Sequence, residues 1–144
     1  MNTDRLSQQQ AVKLIGEAFA SQKRAYAPYS HFQVGAALLC RDGSIYGGYN
    51  IENASYGACN CAERTALFRA VYEEKKEFCA IAIVGKSQEK EEFDYCAPCG
   101  ICRQVMAEFK IPLIIMGNLM GNIKIVTIEE LLPFSFSECD VTGK

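Results

Sequence analysis

Two short cysteine motifs constrain this chain more than any other feature: Cys61-Ala62-Glu63-Arg64 and Pro98-Cys99-Gly100-Ile101-Cys102-Arg103-Gln104. Each opens a helical pattern. Ala62, Ala66, Leu67 and Ala70 share one face over Cys61 to Tyr72, and a helix opened by Pro98 runs from Cys99 to Lys110. A Cys-x-x-Cys pair at a helix N-terminus puts one sulfur at the helix entrance and the next a turn later. Both face the positive end of the helix dipole, which favours thiolate over thiol. Cys61 enters its own helix in the same way. A fold that uses both motifs must bring two helix mouths together. An open α/β sheet does so if the helices follow adjacent parallel strands. The three thiolates then converge outside the carboxyl ends of the sheet, where such folds place their ligands.

The rest of the chain supplies that sheet. Ser7 caps a first helix, with Gln10 at capping-box spacing. Ala11, Val12, Leu14, Ile15, Ala18 and Phe19 carry its apolar face, which fades by Arg24. Pro28 to His31 is a turn and Phe32 to Cys40 a buried strand. Asp42-Gly43 signals a hairpin returning over Ile45 to Tyr49. Asn50 to Asn60 is a polar loop. Cys79 to Gly85 is a nearly all-apolar strand, the pattern of one covered on both sides. Ser87 to Tyr95 is a charged, solvated loop. Leu113–Met116 and Ile123–Thr127 are strands joined by a Gly/Asn turn, and Thr127 caps a short last helix that Pro133 ends. This order predicts an α/β fold: a three-layer α/β/α sandwich with a mixed five-stranded sheet, its first two strands a hairpin and its middle parallel. The chain's 144 residues suit one domain spanning 1–144.

Charge and hydropathy narrow the partners. The formal net charge is −2 and the sequence pI is near 5.5, with no Lys/Arg cluster of the kind that tracks a nucleic-acid backbone. The longest apolar runs, Val34–Cys40 and Ile111–Met116, fall well short of the roughly 18 residues that span a bilayer. The polar N-terminus has no apolar signal core, so the expected location is cytoplasmic. Thiols stay reduced there. The eight cysteines therefore read first as metal ligands or catalytic groups rather than disulfides.

Three thiolates suit zinc and leave a fourth position open, the catalytic rather than structural arrangement. Glu63, two residues past Cys61, can stand over that position without ligating. An activated water beside an unbound carboxylate is what hydrolytic removal of ammonia from a ring requires. Three thiolates on a divalent ion leave about one net negative charge. Arg64 and Arg103, each beside a ligand, are candidates to donate hydrogen bonds to the sulfurs and draw off part of it. A structural four-cysteine site completed by Cys59 or Cys96, or a zinc-stabilised binding module, uses the same cysteines but needs no Glu63. Cys96-x-x-Cys99-x-x-Cys102 also resembles part of an iron–sulfur run, without its closing Cys-Pro.

Cys-Ala-Glu followed by Pro-Cys-x-x-Cys matches the zinc deaminase signature in its three-cysteine form. With Val34-Gly35-Ala36-Ala37-Leu38, Asn50-Ile51-Glu52-Asn53-Ala54, Cys61 to Ala66, Pro98 to Gln104 and Glu130-Leu131-Leu132-Pro133 in order, the chain resembles the small homotetrameric cytidine deaminases over roughly residues 7–136. The resemblance implies one Zn²⁺ per chain on Cys61, Cys99 and Cys102. It implies Glu63 as proton shuttle for attack of zinc-activated water at C4 of cytidine or 2′-deoxycytidine, a reaction of pyrimidine salvage. Asn50 and Glu52 match positions that bind ribose hydroxyls, Phe32 packs on the pyrimidine, and the Ala62 backbone meets the ring edge. Ala54, Tyr56 and Phe136 resemble elements that complete a neighbouring subunit's site in a homotetramer. Two residues apart on extended chain, Asn50 and Glu52 also point the same way and together serve a hydroxyl. A deaminase of nucleoside-like antibiotics shares the metal motifs, but Glu52 suits an ordinary ribose. His31, the one histidine, reads as an exposed turn residue, and Cys40, Cys79 and Cys139 as core or incidental thiols.

Overall fold

Ser7 starts the first helix as its spacing predicts. In the computed structural model, which describes residues 6–87, 95–118 and 121–143, the Ser7 Oγ accepts from the Gln10 N–H at 3.1 Å and the Ser7 N–H donates to Gln10 Oε1 at 3.0 Å. Helix α1 (Gln8–Gln22) follows, burying Ala11, Leu14 and Ala18. Then come β1 (Phe32–Cys40), β2 (Ile45–Tyr49), α2 (Ala62–Tyr72), β3 (Phe78–Ser87), α3 (Gly100–Glu108), β4 (Leu113–Gly117), β5 (Ile123–Thr127), α4 (Ile128–Leu131) and α5 (Glu138–Thr142). The charged loop read over Ser87–Tyr95 lies, for residues 88–94, outside the described residues. No helix among the described residues is long and apolar enough to cross a membrane.

The five strands form one mixed sheet in the order β2-β1-β3-β4-β5. Alternate side chains go to opposite faces. Ala37, Leu39, Ala80, Ala82, Val84 and Ile115 pack under α1. Ala36, Leu38, Ile81, Ile83 and Ile114 pack with Ala66 and Leu67 of α2 and Met106 of α3 on the other side. These are the expected three layers. Two glycines allow close approach of the helices. A Cβ on Gly35 would stand 2.0 Å from the Ala18 carbonyl oxygen, and one on Gly48 would stand 2.4 Å from the Ala66 nitrogen. Helix α1 thus rests on the backbone of β1, and α2 on that of β2.

Two expectations need correcting. The helices that carry the cysteines do not follow adjacent parallel strands. β1 pairs antiparallel with both β2 and β3, so those two run the same way with β1 between them; the parallel pair is β3–β4. The hairpin contributes its first strand to the sheet interior, which local turn chemistry does not specify. Convergence survives nonetheless. Tyr49 at the end of β2 pairs with Gly35, and Gly85 near the end of β3 pairs with Val34. Both carboxyl ends therefore flank the start of β1. Besides a single 3-10 turn at Tyr56–Ala58 in the polar loop, the chain also forms a helix, α5, beyond Pro133. It rests on a capping box between Ser137 and Asp140 and ends at Gly143 in the left-handed region (φ 73). It buries no residue, so hydrophobic periodicity gave no sign of it.

Candidate active site

Cys61 and Cys99 are the N-cap residues of α2 and α3, both with extended backbone, and neither side chain caps its helix. Their sulfurs face each other instead, 3.6 Å apart. Cys102, in the first turn of α3, completes a cluster in which all ligand atoms lie within 4.8 Å of one another. Tetrahedral coordination at a Zn–S distance of about 2.3 Å spaces the sulfurs about 3.8 Å apart. The donor set and its spacing fit zinc. Neither of the additional cysteines joins it among the described residues. The Cys59 sulfur accepts from the Asn53 N–H at 3.3 Å. Cys96 packs near Phe32, both crowding the space over Gly85.

The electrostatics single out Cys61 as the thiol that ionises first. The Cys61 thiol is pulled down to about 5, first by the hydrogen bond from Cys102, with Arg64 and Cys99 assisting against burial. Cys102 is pushed up by that same bond and by burial. Arg64 Nη2 donates to the Cys61 sulfur at 3.4 Å, and its guanidinium is held charged by the Cys61 and Cys102 sulfurs despite desolvation. Arg103 does not share this work. Its Nε donates to the Pro98 carbonyl at 2.8 Å and its Nη1 to the Leu131 carbonyl at 2.9 Å, so two backbone acceptors take the donors expected at the sulfurs.

Glu63 is 5% exposed and stands outside the sulfur cluster. Burial drives its carboxyl up to about 7, and the Cys61 charge adds to the push, while a Cys102 hydrogen bond opposes it. A carboxyl titrating near neutrality can take and return a proton. Burial likewise raises Cys96, to about 12, which suits a packing thiol.

Asn50 and Glu52 reach the same sheet edge. Asn50 Nδ2 donates to the Phe32 carbonyl at 2.9 Å, and Asn50 Oδ1 accepts from the Val34 N–H at 2.8 Å. Glu52 Oε1 accepts from the Tyr29 and Ser30 N–H groups at 2.9 and 3.0 Å. Burial opposes ionisation of Glu52, yet these bonds and the Ser30 hydroxyl hold its carboxyl below the usual range. Phe32 opens β1 between the two cysteine-bearing helices, and Ala62 is fully buried behind Cys61. Ala54 is exposed. Tyr56 is 73% exposed and meets Tyr29 edge-on at 6.1 Å. The ring of Phe136 is also exposed, while its carbonyl accepts from Gln104 Nε2 at 2.8 Å. His31 is exposed, with φ 56. Residue-type reasoning missed Ser30 and Gln104. Both act on backbone groups or through a neighbour, and only the Pro-Tyr-Ser turn hinted at the first.

The sulfur trio fits zinc and leaves a buried carboxyl beside it, the pairing that zinc-dependent hydrolytic enzymes use. Residues 8–118 match the family model described as the cytidine and deoxycytidylate deaminase zinc-binding region. The chain is 51% identical over 130 residues to cytidine deaminase of Halalkalibacterium halodurans, covering 89% of this chain and 95% of that one. It is 47% identical to cytidine deaminase of Sporosarcina psychrophila, covering 90% and 93%. The crystal structure of cytidine deaminase from Burkholderia pseudomallei superposes with a TM-score of 0.80 at 45% identity, over 91% of this chain and 100% of that one. The chain belongs to the cytidine and deoxycytidylate deaminase family, as a zinc-dependent enzyme of its cytidine-deaminating kind.

Proposed function

We propose that the chain hydrolyses cytidine and 2′-deoxycytidine to uridine and 2′-deoxyuridine with release of ammonia, a step of pyrimidine salvage in the cytoplasm. The observation that carries this reading is Glu63, a buried carboxyl next to three clustered sulfurs that it does not join. Zinc held by Cys61, Cys99 and Cys102 supplies the Lewis acidity that makes water a nucleophile at neutral pH. Glu63 takes one proton from the water adding at C4 and passes it to ring N3. It then moves the second to the 4-amino group, which leaves as ammonia. Water, cytidine, uridine and ammonia balance with no other reactant.

Arg64 draws charge from the sulfurs through its bond to Cys61. Phe32, fixed by Asn50 through its carbonyl, packs against the pyrimidine, and the Ala62 backbone meets the ring edge. Asn50 and Glu52 receive a sugar hydroxyl. The outer surface supports assembly. Tyr26, Tyr29, Ile51, Tyr56, Phe68, Tyr72 and Phe136 are all exposed on the single chain, and large exposed aromatic and aliphatic side chains suit an interface. A homotetramer covers them, with Ala54, Tyr56 and Phe136 completing a neighbour's site.

Zinc content and the loss of cytidine absorbance, measured together for wild type and Glu63→Gln, test the reading. Both proteins hold about one zinc per chain, and turnover falls by about 10²–10⁴-fold in the variant. A wild-type protein that binds zinc and leaves cytidine unchanged overturns the reading.

A further inference from the structure

Glu52 is held by more than its place in the loop. Its Oε1 takes two backbone N–H groups, from Tyr29 and Ser30. Its Oε2 takes the Ser30 hydroxyl at 2.5 Å. The Ser30 Oγ in turn accepts from the Phe32 N–H at 3.0 Å. Because a backbone donor enters that oxygen, the hydroxyl proton is directed at Glu52. The result is a one-way chain from the Phe32 N–H through Ser30 to Glu52 Oε2. Left-handed backbone at His31 (φ 56) accompanies the turn that brings Ser30 back over the loop. A carboxylate offers about four acceptor positions. Three are filled here, and the carboxylate cannot rotate without breaking those bonds.

We propose that Ser30 is a positioning residue for sugar recognition, holding Glu52 so that a single acceptor position on Oε2 faces one substrate hydroxyl. This rests on the assignment of Glu52 to the sugar made above. It adds that the carboxylate's geometry is set from the turn that leads into β1, the strand that Phe32 opens. Sugar and base contacts are thereby held in mutual register. Ser30 itself touches no reacting atom. Removing its hydroxyl should weaken substrates that offer a hydroxyl to Glu52 and spare those that do not.

The test compares kcat/KM for cytidine and 2′,3′-dideoxycytidine in the zinc-loaded enzyme, for wild type, Ser30→Ala, Ser30→Thr and Glu52→Gln. The ratio of the two substrates is independent of the folded fraction, so partial misfolding cancels. Ser30→Ala should lower the ratio about tenfold, as expected for a lost hydrogen bond to a charged group, chiefly through KM for cytidine. Ser30→Thr keeps the hydroxyl and should keep the wild-type ratio. A wild-type ratio in Ser30→Ala, with a collapsed ratio in Glu52→Gln, overturns the role of Ser30. So does a ratio in Ser30→Thr as low as that in Ser30→Ala. A wild-type ratio in Glu52→Gln overturns the sugar assignment of Glu52 itself, and the role of Ser30 with it.

Discussion

The sulfurs of Cys61 and Cys99 lie 3.6 Å apart although the two residues are 38 positions apart in sequence. Each sits at the mouth of its own helix, and the two helices start at one sheet edge. Such a contact joins like groups that repel once both are ionised, so it is stable as a thiolate pair only with a cation between them. Replacing Cys99 by Ala should abolish stoichiometric zinc and, with it, activity. Chelator should do the same to wild type, and added zinc should restore turnover. Metal analysis beside a rate assay checks both.

Arg64 gives Cys61 a charged donor at 3.4 Å. Arg64→Ala should weaken zinc by about 10–100-fold, the usual effect of losing a ligand's outer partner, and should displace the pH–rate profile. A competition titration against a chromophoric chelator at fixed pH measures the first. Unchanged affinity together with an unchanged profile would remove Arg64 from the site.

Gly48 lets α2 lie on β2, and the atoms a Cβ would meet are backbone: the Ala66 nitrogen at 2.4 Å and the Ala62 carbonyl oxygen at 2.5 Å. Neither can step aside alone. Gly48→Ala should cost at least about 1–3 kcal/mol in stability, the range for overpacked cores. It should also weaken zinc, because the first turn of α2 moves with Cys61. Gly57→Ala, which meets nothing within 4 Å, is the control. Denaturant melts of both variants, with and without zinc, measure these effects.

At the far end of the β1–β2 hairpin, Lys75 Nζ lies 2.7 Å from Asp42 Oδ2. That bond, helped by Ser44, holds the Asp42 carboxyl below its usual range, and it holds the Lys75 ammonium above its own. The Asp42 contribution is therefore present above its unfolded value, about pH 3.9, and is lost as pH falls through the lower folded value. The Lys75 contribution is complete below about pH 10.4 and is lost as pH rises through its higher folded value. The melting-temperature gap between wild type and Asp42→Asn should be widest between these limits and narrow toward both extremes. The pair is exposed, so the gap is small.

The central strands were legible because they are apolar runs bounded by turn residues, as Phe32–Cys40 is by Ser30-His31 and Asp42-Gly43. Their order was not. Nothing in Asp42-Gly43 says which hairpin strand will pair with β3, and that choice is made by long-range burial of Ala36 to Leu39. The sulfur cluster and Glu63 were legible because helix mouths, thiolate chemistry and the carboxylate offset are local properties. Arg103 misled for the opposite reason. It stands beside Cys102 in sequence, yet the carbonyls of Pro98 and Leu131 claim its guanidinium. Gln104 was silent because its hydrogen bond engages a backbone carbonyl, and Ser30 because its partner Glu52 lies 22 positions away; residue type reveals neither. Helix α5 was silent because it has no buried face.

Arg103 and Gln104 follow Cys102 directly, and they tie down Leu131 and Phe136. The segment that delivers two of the three sulfurs therefore also sets where the aromatic tail emerges. A chain that has not wound this helix has neither its sulfur cluster nor a fixed exit for Phe136. Any contact made through the Phe136 ring is thus contingent on the helix that also builds the reaction centre.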